Sequence, residues 1–487
     1  MRSLRSLRPG AGTIDVEAFS LAYLALPNAI FLFGWIAWPL GPIAAGSLAI
    51  GVAWLLRRER ESTGFPLGVL WVPLLAIASL WVLLGGVGHF VFANSDWVVR
   101  DAVLLDLVRD SWPVAYRLDG IETLLRAPIG YFLPAALVGK VLGVRAAEFA
   151  LLAWTVLGVS LVFALMLRDR PTLKAALIRI VVFIVFSGMD IVGTIAHYNP
   201  HAIGDHLEWW AFLFQYSSQT TQLFWVPNHA LPGWIAIAWL LACDPRRLPT
   251  GPSILFVAFA PLWSPLTAIG IAPIVGVAIL HRLVLDRTWT SFARLLARLL
   301  DLRVLVPAIA CVVLIYPYLV LGSDKIASGS NADIRWVGED LLPRYVEFVL
   351  FEFVGFALLL VQRDRRDPLL WTAIIVLLAL PFYRFGPYND LAMRASIPAL
   401  ALLAIRLGRW LSQPVAITKD PRSRVLALVL LLVGAVTPFN EVARVFIKPR
   451  WDMNVTSSVI DVTRGTHYLT PRDQPWANRF LRDSAPN

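Results

Sequence analysis

Long apolar runs, separated by short turns rich in arginine, proline and glycine, occupy most of the chain from residue 18 to residue 441. A run of about 20 apolar residues crosses the hydrocarbon core as one helix at ~1.5 Å per residue. The pattern predicts about thirteen such spans, near 18–38, 40–57, 66–87, 147–167, 176–195, 223–243, 253–268, 270–285, 303–321, 346–361, 369–383, 392–408 and 425–441. The expected fold class is all-α, a polytopic transmembrane helical bundle. The segment Pro128–Gly143 is apolar but short, and it carries Pro134 and Lys140. It reads as a re-entrant or interfacial segment resting on protein rather than as a crossing. Residues 1–65 hold two N-terminal spans, 66–410 a core with long loops at 88–127, 196–222, 322–345 and 384–391, and 411–487 the last span and a tail.

Composition turns this pattern into a statement about solvent. Hydrophobic residues make up 58% of the 487 and charged residues 16%, against ~25% charged in soluble domains. The length alone suggests about three soluble domains; a chain this apolar excludes them. The net charge of +10 comes from arginines gathered in short turns. These are Arg57, Arg58 and Arg60; Arg168, Arg170 and Lys174; Arg246 and Arg247; Arg282, Arg287, Arg294 and Arg298; Arg363, Arg365 and Arg366; and Lys419, Arg422 and Arg424. The positive-inside rule places these turns and the N-terminus in the cytoplasm, and the long loops and tail outside. The expected location is a bacterial plasma membrane. The charge therefore reports orientation in a lipid bilayer, and nucleic acid is not an expected partner. Cys243 and Cys311 lie in apolar runs without paired spacing and read as packing residues. Arg2, Arg5 and Arg8 precede an apolar run that continues into a second one, so no cleavable signal is expected.

The residues suited to chemistry lie in the long loops. Asp96 follows Asn94 and Ser95 at a span exit. It reads either as a helix N-cap or as a general base that takes a proton from an incoming hydroxyl or amine. Val103, Leu104, Leu107 and Val108 recur at helical spacing, with Asp101, Asp106, Arg109 and Asp110 between them. That pattern predicts an amphipathic interfacial helix with a solvated acidic face. Leu118, Ile121, Leu124 and Leu125 predict a second one.

Four of the seven histidines (His197, His201, His206 and His229) fall in the next outer stretch. Asp205, His206 and Glu208 are close enough in sequence to hold a divalent metal ion. Equally, they form a hydrogen-bonded loop anchored at the interface by Trp209 and Trp210. Gln215, Tyr216, Ser217, Gln219, Thr220 and Gln222 offer donors and acceptors to sugar hydroxyls, and Trp225 and Trp234 offer stacking faces. Asn228 and His229 sit inside an apolar run between two prolines, where a polar residue is a functional candidate. Asp190 and Glu352 lie within spans and need a partner or a role, whereas Glu347 is near enough to a span end to reach water. Arg384 and Arg394 flank Asn389 and Asp390. Their guanidinium forks fit either Asp390 or a lipid-linked phosphate.

An early span leading to a large outer loop, with Asp96 at its start and two expected interfacial helices, resembles the GT-C superfamily. These are integral-membrane glycosyltransferases, and the resemblance covers residues 66–410. Where that superfamily has paired acids, this chain reads Ser95-Asp96-Trp97. The resemblance implies a polyprenyl-phosphate-linked sugar donor, an acceptor at the outer face, and Asp96 as the catalytic acid. The alternative is a transporter or flippase of a lipid-linked or anionic substrate, with Arg384, Arg394, Asp190 and Glu352 along its path. A third reading is a non-catalytic scaffold in an envelope-assembly complex. Transfer requires the polar residues to gather at one outer face; transport requires them at mid-depth or on both sides.

Overall fold

Lipid offers no partner to a backbone N–H or C=O, so apolar runs close their own hydrogen bonds and become helices. The computed structural model describes residues 13–58, 65–66, 71–169, 171–197, 206–286, 293, 296–297, 301–322, 335–336, 341–386, 388–414, 420–463 and 468–483. In chain order its helices are α1 (Val16–Trp35), α2 (Leu40–Arg58), α3 (Trp71–Leu84), α4 (Asp96–Arg109), α5 (Leu133–Leu142), α6 (Val144–Met166), α7 (Leu173–Val185), α8 (Asp190–His197), α9 (Gln219–Trp225), α10 (Pro227–Ala242), α11 (Thr250–Phe259) and α12 (Pro265–Asp286). Then come α13 (Leu302–Val320), α14 (Leu342–Arg363), α15 (Pro368–Ala379), α16 (Asp390–Leu411), α17 (Pro421–Gly434) and α18 (Val436–Ile447). Eight helical units among the described residues are long and apolar enough to cross a membrane: α1, α6, α7 with α8, α12, α13, α14, α16, and α17 with α18. Shorter apolar stretches are Leu40–Leu55 within α2, α3, α5, Thr250–Leu262 from α11 and Pro368–Phe382 from α15, and the expected span 223–243 is divided between α9 and α10 at Val226.

Several long helices are interrupted. The stretch Phe186–Met189 separates α7 from α8, and Ala435 separates α17 from α18. A π-helical turn lies at Leu350–Val354 in α14 and another at Cys311–Ile315 in α13. Two of the breaks touch. A Cβ on Gly434 would lie 2.6 Å from the Ser187 carbonyl oxygen and 3.0 Å from that of Gly188, so only glycine permits this approach of backbone to backbone.

At the end of the bundle where α1 begins, β1 (Thr13–Ile14) pairs with β2 (Phe65–Pro66). Arg168 of a short turn, Arg179 of α7, and Arg406 and Arg409 of α16 are spent here on neighbouring elements. Arg168 meets Glu17 at 2.5 Å, Arg179 grips Asp169 with both nitrogens, and Arg406 meets Asp367 at 2.7 Å. Arg409 holds the Leu241 carbonyl at 2.9 Å.

The opposite end differs from the expected pair of interfacial helices. The leucines at 118–125 belong to a hairpin, β3 (Ala115–Leu118) and β4 (Ile121–Leu125). Asp119 and Gly120 both have positive φ, 50° and 79°, which matches the twist of a two-residue hairpin turn. A two-residue pair, β5 (Arg335–Trp336) and β6 (Tyr383–Arg384), lies further along the chain, and β7 (Leu469–Pro471) of the tail adds a third strand beside β4. The helix α4 forms, but Asp101 and Asp106 are buried rather than solvated, because the tail covers them. Asp101 pairs with His89 at 3.0 Å and accepts from the Asn454 N–H. Asp106 accepts from Tyr116, from the Ser458 hydroxyl and from the Val459 N–H, at 2.7, 2.8 and 2.9 Å. Burial raises the Asp106 carboxyl above its ordinary range against these bonds. The tail thus lies at the same end as the 88–127 loop.

The segment Pro128–Gly143 enters the bundle and returns. Tyr131 reaches Thr155, midway along α6, at 2.6 Å. The ten residues of α5 then climb ~15 Å to Gly143, whose φ of 89° reverses the chain into α6.

Candidate functional site

Two polar centres lie at the hairpin end. In the first, Asp96 is the first residue of α4 and its N–H bonds the Asn94 side chain; the N-cap position falls on Ser95, which makes no side-chain cap bond, and not on Asp96. One turn on, Arg100 meets Asp96 at 3.1 Å. The same spacing recurs at the start of α16, where Arg394 meets Asp390 at 3.0 Å. Asp96 is 41% exposed, Arg394 21% and Arg100 only 10%, and the buried Arg100 Nη1 has no partner among the described residues. Both pairs come within electrostatic reach of one tail residue. Tyr468 of the tail lies within electrostatic reach of Arg100, Asp96, Arg394 and Asp390 together. Burial raises its phenol above the ordinary range; the two arginines oppose that rise and the two aspartates add to it. His229, at the start of α10, is in turn within reach of Arg394 and Arg100.

A hydroxyl chain orients the His229 ring. Thr267 Oγ1 donates to the carbonyls of His229 and Arg394 at 3.2 and 3.3 Å, Ser264 donates to Thr267 at 2.7 Å, and Ser264 Oγ lies 2.6 Å from His229 Nδ1. With both hydroxyl protons committed, Nδ1 carries the ring proton and donates it to Ser264, and Nε2 keeps its lone pair. Asn228 beside it is buried, and its Oδ1 has no partner among the described residues. Arg384 bonds the Gly386 carbonyl at 3.2 Å. The Gly386 turn lies against Asp390, since a Cβ there would sit 2.8 Å from Asp390 Oδ2.

The second centre gathers His206, Glu208, Gln215 and Trp225, four residues singled out by sequence, around Glu441 and Arg444 of α18. His206 Nδ1 is 3.1 Å from Glu441 Oε1, Trp225 donates to Glu441 Oε2 at 2.8 Å, and Arg444 donates to Glu441 at 3.0 Å. Gln215 Nε2 lies 3.0 Å from Glu208 Oε2 and 3.3 Å from His206 Nε2. The Ser218 N–H closes on Glu208 Oε1 at 2.8 Å. Burial lowers the His206 imidazole, but the Glu441 bond and the charges of Glu208 and Glu441 outweigh it, so its pKa is raised. Burial pushes Glu208 up to about 7, with the Asp190 charge adding and His206 opposing.

Several expectations change here. Asp205 and His201 lie outside the described residues. His206 and Glu208 are already engaged with Glu441, Gln215 and Ser218, and among the described residues no group of three or more His, Cys, Asp or Glu is placed to hold a metal ion. Tyr216, Gln219, Thr220, Gln222 and Trp234 are buried. Tyr216 bonds the Leu377 carbonyl, Thr220 bonds Ile184, Gln222 bonds Ser217 and Trp234, and Trp234 stacks on Trp81 at 5.6 Å. All but Gln219 thereby join helices and leave no face for a sugar. Trp209 is exposed, but Trp210 is buried against Glu352. Glu347 is exposed, as its place near a span end suggests, and it also pairs with His197 at 2.9 Å. Sequence reading overlooked Arg100, although it stands four residues after Asp96 as Arg394 does after Asp390. It also overlooked Tyr468, Ser264, Thr267 and Glu441, which no local pattern marks.

No family model, curated protein or solved structure matches this chain.

Proposed function

We propose that the chain is an integral-membrane glycosyltransferase that moves a sugar from a polyprenyl-phosphate-linked donor to an acceptor at the outer membrane face. The observation that carries this reading is the gathering of two Asp-x3-Arg pairs, Asp96 with Arg100 and Asp390 with Arg394, within electrostatic reach of Tyr468, with both arginines also within reach of His229. About thirteen crossings, a cytoplasmic N-terminus and a plasma-membrane location belong to the same reading. The acceptor oxygen bonds to the anomeric carbon as the bond from that carbon to the phosphate oxygen breaks. Polyprenyl phosphate leaves with the electron pair, and Arg394 and Arg100 hold its oxygens. Asp96 takes the acceptor proton. His229 Nε2 and Asn228 Oδ1 accept sugar hydroxyls, and Arg384 supports the phosphate from the adjoining turn. A divalent ion at His206 and Glu208 enters only by displacing their bonds to Glu441, Gln215 and Ser218, so it has no part in this scheme.

The test is transfer of labelled sugar from a polyprenyl-phosphate donor by the purified chain in lipid. Asp96→Asn abolishes it if the reading holds; unchanged transfer removes Asp96 from the mechanism. A second reading, transport or flipping of a lipid-linked anion, is favoured by the helix breaks that meet beside Asp190 and Glu352. Donor movement across vesicles without any sugar transfer would support it instead.

A further inference from the structure

Asp190 and Glu352 occupy the two sides of a helix break inside the bundle, and each has one carboxylate oxygen satisfied and one not. Asp190 Oδ2 accepts from Ser187 at 3.0 Å and from Thr437 at 2.8 Å, while its Oδ1 has no partner among the described residues. Glu352 Oε1 accepts from Trp210 at 3.2 Å, while its Oε2 has none. Both side chains are almost wholly buried, at 1% and 2% exposure. The two carboxyls lie within hydrogen-bonding reach of each other. Gly188 permits this, because a Cβ there would collide with the Glu352 carboxylate. Four carboxyls (Asp190, Glu352, Glu208 and Glu441) stand here with Arg444 and His206 as the cationic partners around them.

Two buried oxygens that face each other and lack only a donor are completed by a single hydrogen. Two ionised carboxylates so placed repel each other and forgo their solvation. A metal ion needs several more oxygen ligands. The nearest unwound carbonyls, of Ser187 and Gly188, are pressed against Gly434 instead. We propose that Asp190 and Glu352 form a proton-binding site that shares one proton between Asp190 Oδ1 and Glu352 Oε2. Thr437 faces it from α18, and Glu208 and Trp210 face it from the segment after α8, with His206, Glu441 and Arg444 grouped beyond Glu208. His206 and Glu441 are in contact at 3.1 Å. The site is independent of the transferase reading, since it is defined without donor or acceptor.

The experiment is infrared difference spectroscopy on the full chain in lipid, without substrate, as pH is stepped about neutrality. Glu208 also titrates near 7, so the expected result is a carbonyl stretch of a protonated carboxylic acid that is retained in Glu208→Gln and lost in both Glu352→Gln and Asp190→Asn. In Glu352→Gln the new amide N–H supplies the missing donor, so this variant is the one expected to retain the fold. It also releases one fewer proton per chain when the sample is made alkaline. Absence of the band in the wild type, or its persistence in both folded variants, overturns the proposal. So does stabilisation of the wild type by sodium over choline at constant ionic strength, because a metal ion then fills the gap. If neither variant folds, persistence of the band in Glu208→Gln and its indifference to sodium decide.

Discussion

His229 Nδ1 lies 2.6 Å from Ser264 Oγ, and the Ser264 proton is committed to Thr267. The ring is therefore held in one tautomer, with Nε2 turned to whatever occupies the space beside Arg100 and Arg394. Ser264→Ala removes the acceptor that fixes Nδ1–H and lets both tautomers form. Sugar transfer is expected to fall roughly 10-fold in kcat, on the order of 1.4 kcal/mol of barrier, with the melting temperature little changed. A kcat equal to wild type would show that the ring orientation is idle.

Asp96 and Arg394 are expected to separate kinetically. Asp96→Asn keeps the size of the side chain but loses the base, so kcat falls by about 100-fold or more. Arg394→Ala raises KM for the donor, and Arg394→Lys recovers only part of the loss because it lacks the planar fork. Steady-state kinetics with varied donor distinguish the two; identical effects of both on KM alone would refute the division.

The His206–Glu208 segment is expected to loosen as the medium becomes alkaline. Both groups have folded pKa values raised above their ordinary ones, so the folded state binds the extra proton. The stability this contributes is full below the ordinary values and is lost as pH rises through the folded ones. For Glu208 that window runs from the ordinary 4.5 to about 7, and for His206 it begins at 6.5. Melting temperature in detergent should fall across this range, and Glu208→Gln should flatten the slope below neutrality. An unchanged slope would contradict the assignment.

Asp106→Ala leaves the Tyr116 hydroxyl, the Ser458 hydroxyl and the Val459 N–H without their acceptor. At about 1–3 kcal/mol for each buried group left unpaired, the tail should detach before the bundle melts. Limited proteolysis should then cut within 448–483 in the variant at a protease dose that spares the wild type. Equal resistance would show that other contacts hold the tail.

Gly188 and Gly276 form a matched pair of alanine tests. A Cβ at Gly188 meets the Glu352 carboxylate, whereas one at Gly276 in α12 meets nothing within 4 Å. Gly188→Ala is expected to lose folded protein, and Gly276→Ala to gain about 0.5–1 kcal/mol from helix propensity. Size-exclusion yield and thermal melts check both.

The helices were legible because lipid enforces them: a run such as Leu173–Val185 has no other way to satisfy its backbone. What disturbed the reading was information held elsewhere in the chain. Asp101 and Asp106 occupy the polar face of an amphipathic pattern, and the residues that bury them arrive some 350 positions later. The leucines of 118–125 mimic a helical spacing, yet Asp119-Gly120 between them is a hairpin turn. The pairing of Asp96 with Arg100 was visible as a spacing of four, but its meeting with Asp390 and Arg394 depends on tertiary packing alone. Glu441 and Tyr468 belong to a span end and a polar tail, where no periodicity distinguishes a site residue from its neighbours.

The bond from Val459 to Asp106 spans 353 residues, and β7 joins β4 across a similar interval. During translation, α4 and its carboxylates have left the ribosome long before the segment that covers them is made. The nascent protein therefore passes through a stage with most helices inserted and Asp101 and Asp106 still bare. A ribosome stalled before residue 459 leaves a product whose hairpin has no third strand. An unfinished chain and a finished one therefore differ at this face in whether Asp101, Asp106 and the open edge of β4 are covered, a difference set by the order in which its two halves are synthesised.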